Sequence, residues 1–216
     1  MPIDERTRRL LVTELERARD RGVLGPGPVE DQLDHSLGFA ECVGAPPTRT
    51  LDLGSGGGIP GLVLAALWEQ TRITLLDASS RRCDSLRLAV GRLGWGGRVE
   101  VIEGRAEEVG HEASFRESFE VVTARSFGIP AVTAECSAAF LAPGGILVVS
   151  EPPAHGGATV RDGLRWPGEG LAELGLCAGD ALRTGGAGFQ TIRRAGPISS
   201  RFPRRVGIPA RRPLWG

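Results

Sequence analysis

Leu51-Asp52-Leu53-Gly54-Ser55-Gly56-Gly57-Gly58-Ile59-Pro60-Gly61 is the stretch that decides the fold. Arg49-Thr50 stands before it and the apolar run Leu62-Val63-Leu64-Ala65-Ala66-Leu67 after it. The order is a short strand, a glycine turn and a buried helix, the opening unit of a doubly wound α/β sheet. Asp52 falls at the strand end, two residues before Gly54-x-Gly56-x-Gly58. Glycines there let the backbone approach a ligand closely in conformations that other residues resist. Pro60 suits the first turn of the helix, where a missing N–H costs nothing.

Two nucleotide ligands compete for this loop. Gly56-x-Gly58-x-x-Gly61 also satisfies the dinucleotide fingerprint, so the glycines alone do not choose. Charge does. A pyrophosphate on the helix N-terminus would be repelled by a carboxylate at Asp52. S-adenosylmethionine carries a cationic sulfonium and an α-amino group and no phosphate, so an acid beside the loop fits it. A ligand-free structural turn is the plain alternative.

A chain of 216 residues accommodates one α/β domain with short additions. A hydrophobic fraction of 41% and a charged fraction of 24% describe a soluble globular protein. No apolar run approaches a membrane span, and Met-Pro-Ile-Asp-Glu-Arg lacks a signal-peptide core, so no membrane association and a cytoplasmic location are expected. The formal net charge is +0, and any nucleic-acid surface must be local. All 26 basic residues are arginine; lysine, tyrosine and asparagine are absent. No lysine is available as a base, and phosphate contacts fall to arginine, which forms bidentate pairs. Cys42, Cys83, Cys136 and Cys177 are widely spaced, as are His35, His111 and His155, so no metal site is predicted.

Residues 4–21 read as a charged amphipathic helix and Val29–Val43 as a second, with a break at Gly25-Pro26-Gly27-Pro28. Together they form a helical cap over 1–47, which either covers the sheet or recruits substrate. A second strand, Arg72–Leu76, ends at Asp77, 25 positions after Asp52, where an acid can accept hydrogen bonds from both ribose hydroxyls. Ser79–Leu93 is the next helix, with Cys83 in its core stripe. Strand Arg98–Ile102 runs into Glu103-Gly104-Arg105-Ala106-Glu107-Glu108, a loop placed to meet adenine through Ala106 and Glu107. Strand Phe119–Ala124 delivers Arg125 to the crevice, as a substrate or cofactor contact or as a salt-bridge partner. Val132–Leu141 is expected to be helical, Pro143-Gly144-Gly145 a turn and Ile146–Ser150 the fifth strand. A helix near Gly168–Leu174 and strands near Asp180–Thr184 and Phe189–Arg193 complete the domain over 48–194.

From 193 to the end stand seven arginines and no acid, interleaved with proline and glycine. This tail, 195–216, can grip RNA phosphates through Arg201, Arg204, Arg205 and Arg211, with Phe202 or Trp215 as a stacking face; a merely solvated tail is the alternative.

In order along the chain, Leu-Asp-Leu-Gly-Ser-Gly-Gly-Gly-Ile-Pro-Gly (51–61), Leu-Leu-Asp (75–77), Gly-Arg-Ala-Glu-Glu (104–108), Ala-Arg-Ser-Phe (124–127) and Leu-Ala-Pro-Gly-Gly (141–145) resemble the RsmG (GidB) family. These are bacterial methyltransferases of small-subunit ribosomal RNA acting on guanine N7. The ending Pro-Arg-Arg-Val-Gly-Ile-Pro-Ala-Arg-Arg-Pro-Leu (203–214) is similar to the family's basic C-terminus. The resemblance implies a class I methyltransferase fold, a Rossmann-like α/β sheet with a short helical N-terminal cap. It implies S-adenosylmethionine as cofactor and ribosomal RNA or the small subunit as partner. It places Asp52, Gly54, Ser55, Gly56 and Gly58 at the methionine end, Asp77 at the ribose, Ala106 and Glu107 at the adenine, and Arg125 at the reacting centre with both cofactor and target. Where the family has Lys-Gly after strand five, this chain reads Ser150-Glu151-Pro152-Pro153.

Guanine N7 presents a free lone pair, so its methylation needs alignment and exclusion of water and no base. No cysteine follows a proline, as cytosine C5 methylation would want, and Pro152-Pro153 lacks the aromatic residue of amino-group methyltransferases. A small-molecule methyltransferase and a non-catalytic S-adenosylmethionine- or RNA-binding protein remain as other readings.

Overall fold

The structure is a computed structural model and describes residues 3–152 and 165–216. Two helices come first, α1 (Glu5–Asp20) and α2 (Val29–Val43). Asp4 caps α1, its side chain accepting hydrogen bonds from the backbone N–H groups of Arg6 and Thr7. Then strands and helices alternate: β1 (Arg49–Leu53), α3 (Gly61–Leu67), β2 (Arg72–Asp77), α4 (Ser80–Leu93), β3 (Val99–Glu103), α5 (Ala106–Val109), β4 (Phe119–Ala124), α6 (Pro130–Ala138) and β5 (Leu141–Glu151). Beyond the undescribed residues lie α7 (Gly168–Glu173), β6 (Leu176–Thr184), β7 (Ala187–Arg194) and a last turn, α8 (Ile208–Arg211).

The seven strands form one sheet in the order β3-β2-β1-β4-β5-β7-β6. The first five are parallel; β7 runs antiparallel to both β5 and β6. The order reverses between β1 and β4, so the C-terminal ends of these strands open the crevice at which doubly wound sheets bind ligands. The central strands are apolar on both faces, as helices on each side demand. One face buries Leu62, Leu86 and Phe189 with Leu11, Leu15 and Phe39 from α1 and α2. The other buries Phe119, Phe140 and Leu171 with Ile198 and Phe202 from the C-terminal segment.

The cap is therefore part of the sandwich. Helix α2 comes so close to β7 that a Cβ on Gly38 would collide with the Phe189 ring. Glu14 of α1, 5% exposed, is held by Arg17 and by Arg92 of α4.

Pro143-Gly144-Gly145, expected as a turn between helix and strand, lies inside β5. Leu141 already pairs with Phe119, and the next partners are Val121 and Ile146, so five steps on β5 oppose two on β4. Gly144 has φ +76, and a Cβ on Gly145 would press on the Phe119 carbonyl oxygen at 2.9 Å. A bulge needs those two glycines. Helix α6 accordingly stops at Ala138 instead of reaching Leu141.

Candidate active site at the strand C-termini

The glycine loop turns sharply after β1. Gly54 and Ser55 donate their N–H groups to the Leu76 carbonyl (2.8 and 3.0 Å), and the Ser55 hydroxyl donates back to the Asp52 carbonyl (2.9 Å). Gly54, Gly56 and Gly58 have φ of +74, +54 and +105, which other residues rarely adopt. Leu53 and Gly54, at the start of the loop, line a cleft of ≈ 190 Å³; Ser55, Gly56 and Gly58 stand behind them and outside its lining.

Asp52 is turned inward. The expected carboxylate facing a cation is instead 1% exposed, with Oδ1 accepting from the Thr123 hydroxyl (2.9 Å) and Oδ2 from the Gly61 N–H (3.0 Å). Register explains the first bond, since Asp52 and Thr123 are paired on β1 and β4. Burial raises the Asp52 carboxyl to about 6; the hydrogen bonds from Thr123, Ser55 and Gly61 oppose the shift, and the charge of Asp77 adds to it. One carboxyl group thus ties β1, β4 and the start of α3 together.

Asp77, at the end of β2, lines the cleft. Its Oδ2 accepts from the Gly56 N–H (2.9 Å) and its Oδ1 from the Ser79 N–H (2.9 Å), while Arg82 stands 3.5 Å away. Gly54, Ala106 and Glu107 line the same cleft, as does Phe127, which would meet a Cβ on Gly54 at 2.7 Å. Gly54, Asp77, Ala106 and Glu107 are thus brought together around one opening. Arg125 stands at the end of β4, half-buried, with Nη1 donating to Gln32 Oε1 (3.4 Å). Burial pulls its pKa below the usual arginine value and the charge of Asp52 opposes that. Ser126 follows with φ +53, a strained conformation for a residue with a side chain.

A larger hollow of ≈ 650 Å³ lies at the opposite end of the sheet, lined by Leu37, Pro46, Leu67 and Trp68 among others. None of the strand C-terminal residues reaches it, so size does not mark the site here. Among the described residues no group of three His, Cys, Asp or Glu could hold a metal, and no helix is long and apolar enough to cross a membrane.

The C-terminal segment is docked. Arg204 forms a fork with Glu135, Nε to Oε1 at 2.8 Å and Nη2 to Oε2 at 2.6 Å, and adds its backbone N–H to Oε1 (2.8 Å). Glu135 is 0% exposed. The His111 ring donates to the Pro203 carbonyl (2.8 Å), and Arg116 donates to the carbonyls of Phe202, Ile198 and Ser199. Gly207 donates to Glu107 Oε1 (3.0 Å), so the segment touches the cleft itself. Phe202, expected as a stacking face, is instead core at 1% exposure, and Trp215 packs on Gly170 with its indole N–H on the Arg165 carbonyl (3.1 Å). Arg201 pairs at the surface with Glu173 (2.8 Å). Arg205, Arg211 and Arg212 are exposed and have no carboxylate partner among the described residues.

Glu151 lies beside this region at the end of β5. Its Oε1 accepts from the Trp166 indole (2.7 Å), and Arg165 Nε stands 2.7 Å from Oε2. The acid is matched by a nearby cation. Gln32, Thr123, Phe127 and Glu135 were given no role from the sequence. Phe127 ends the motif Ala-Arg-Ser-Phe, and Glu135 is a lone acid in the apolar run Ala131-Val132-Thr133-Ala134-Glu135-Cys136-Ser137-Ala138-Ala139.

Comparison with known proteins places this geometry. A family model described as GidB, rRNA small subunit methyltransferase G, matches residues 29–151. The chain is a member of that family. Ribosomal RNA small subunit methyltransferase G of Rubrobacter xylanophilus is 34% identical over 96% of this chain and 81% of its own length. Its counterpart in Symbiobacterium thermophilum is 32% identical over 86% of this chain and 78% of its own. Among solved structures, the O-methyltransferase from Bacillus cereus in complex with SAH superposes with a TM-score of 0.60 at 20% identity, over 90% of this chain and 92% of that one. That last likeness concerns the fold alone. As a methyltransferase G family member with a class I sheet, the protein is a S-adenosylmethionine-dependent methyltransferase. The residues present suit that cofactor, because Gly54 at the head of the glycine loop, the acid of β2 and the Ala106–Glu107 turn border one cleft.

Proposed function

We propose that the protein transfers a methyl group from S-adenosylmethionine to N7 of a guanine in small-subunit ribosomal RNA. Family membership supports this reading, and one observation carries it: Gly54, Asp77, Ala106 and Glu107 converge on the cleft that Ser126 and Phe127 close from the β4 side. Bound S-adenosylmethionine supplies the electrophilic methyl group. Asp77 keeps lone pairs for both ribose hydroxyls, since a carboxylate accepts about four hydrogen bonds and here has two short ones from the backbone. Ala106 offers backbone to the adenine edge, with Glu107 beside it already bonded to Gly207. Asp52 acts from beneath, holding Ser55 through its carbonyl and Gly61 through its carboxylate, and setting a negative field under a cationic ligand. Leu53, Ala106 and Phe127 present apolar surface that excludes water from the transfer path. The N7 lone pair needs no general base, and the described residues that line the cleft include no imidazole.

Arg125 stands where an anionic group of cofactor or substrate arrives. Arg205 and Arg211, with Arg201 released from its weak surface pair, contact RNA phosphates; Arg212 joins them. Arg204, bound to Glu135, contributes by anchoring the segment that carries the others.

The test is methyl transfer from labelled S-adenosylmethionine to small subunits from cells lacking the modification, with Asp77→Asn as control. Label at a guanine N7, lost in the control, is the expected result. Cofactor binding without transfer to the subunit would refute the substrate.

A further inference from the structure

Arg125 is half-buried and pairs with no carboxylate among the described residues; its contact is the 3.4 Å hydrogen bond to Gln32 Oε1. A cation drawn partly out of water with no carboxylate in contact, and only the more distant charge of Asp52 to offset its burial, is costly unless an anion joins it. Hydrogen bonds at such positions are often long before the ligand arrives. Gln32 itself is 7% exposed and cannot swing freely, because its Nε2 donates to the Gly25 carbonyl (3.2 Å). That bond fixes which end of the amide faces Arg125.

Gly25 belongs to the linker between α1 and α2, and this linker rests on the glycine loop. A Cβ on Gly57 would meet Leu24 Cβ at 2.8 Å, and the Val23 carbonyl lies above Gly56. One buried amide therefore joins the linker that packs on the glycine loop to the guanidinium at the end of β4. The two bonds need a donor and an acceptor on one side chain. Methionine has neither in usable strength; glutamate keeps the acceptor for Arg125 and loses the donor for Gly25.

We infer that Gln32 is a positioning residue of the methyl-transfer site, holding the Arg125 guanidinium toward an oxyanion of the bound ligands and making the cap part of the reaction machinery. The inference rests on the methyltransferase reading. The oxyanion is either the carboxylate of the cofactor or a phosphate of the RNA, and the binding arms of the test separate them.

The test is a double-mutant cycle in the full-length protein, with Gln32→Met, Arg125→Met and the pair, and Gln32→Glu as the conservative variant. Thermal midpoint, S-adenosylmethionine affinity, KM for small subunits and kcat are measured for each. Gln32→Met is expected to lower kcat/KM about tenfold, Gln32→Glu to recover little of it because its carboxylate pairs with Arg125 in place of the ligand and faces the Gly25 carbonyl without a donor, and Gln32→Met to add nothing once Arg125 is gone. Additive losses, or full activity in Gln32→Met, would overturn the inference. A weakened cofactor affinity shared by both single variants assigns the carboxylate; a raised KM for subunits with unchanged cofactor affinity assigns the phosphate. Nitrogen NMR of the Arg125 guanidinium reads the same contact without turnover. Restricted rotation in the parent, released in Gln32→Met, is expected, and a parent already free in rotation would refute the contact. If the parent transfers no methyl group to subunits, the RNA reading fails while this resonance still decides the role of Gln32.

Discussion

Asp52→Asn isolates the cost of burying one carboxyl group. Asparagine keeps an acceptor for the Gly61 N–H, and its amide can donate to the Thr123 hydroxyl, which then serves as acceptor. The two contacts at 3.0 and 2.9 Å survive while the charge is removed. Burial disfavours the charged form and pushes the carboxyl group of the folded protein up to about 6, from 3.8 for a free aspartate. A group raised in this way gives its full stabilisation below pH 3.8 and loses it as pH climbs toward 6. Across that window the unfolded chain ionises Asp52 while the folded protein keeps it neutral. At ~1.4 kcal/mol per pH unit, the parent loses about 3 kcal/mol relative to Asp52→Asn between pH 3.8 and 6, and the difference then levels off. Urea unfolding of both proteins at pH 3.5, 5 and 7.5, followed by circular dichroism, gives the difference directly, since the other carboxylates titrate in both. A stability difference that does not change across these points would refute the buried-acid account. One that runs the other way would mean that Asp52 is ionised and paid back by a partner on which the geometry is silent.

Arg204→Met leaves the carboxylate of Glu135 buried and unpaired, and about 3–5 kcal/mol of stability is expected to go in chemical unfolding. Adding Glu135→Leu to Arg204→Met should recover most of that loss. Arg205→Ala and Arg211→Ala should leave the unfolding midpoint almost unchanged and each flatten the salt dependence of RNA binding, measured by filter retention, by about 0.7 in log–log slope. Gly61→Ala drives a methyl group into Leu75 and to 2.6 Å from Asp52 Oδ2, and a loss of about 1–3 kcal/mol is expected by thermal unfolding.

The glycine loop, Asp77 and the Ala106–Glu107 turn were legible because each depends on a few consecutive residues. A positive φ calls for glycine, and a strand end in an open sheet points at the crevice, whatever the distant chain does. Asp52 was read at the right place with the wrong orientation. Its partner Thr123 is 71 residues away in sequence and becomes a neighbour only through the β1–β4 register. The Arg125–Gln32 contact spans 93 positions and crosses from sheet to cap, so no local pattern could signal it. Pro143-Gly144-Gly145 carries the composition of a turn, and only the pairing of Leu141 with Phe119 turns it into a bulge. The arginines of the C-terminal segment looked alike in sequence. What separates Arg204 from Arg205 is a single acid on the far side of α6.

The knot at Asp52 has a mechanical consequence. β1 carries the cofactor loop, β4 carries Arg125, and α3 begins the layer beneath, and all three are bolted at one buried group. Sliding one wall of the cleft past the other would break these bonds and strand a buried carboxyl group. The helices that precede the sheet share this fixity, because Leu11, Leu15 and Phe39 lie in one core with Leu62, Leu86 and Phe189, and Glu14 is paired with Arg92 of α4. Cap and sheet thus form a single anvil, and only the Gly25-Pro26-Gly27-Pro28 linker between α1 and α2 lies exposed over it.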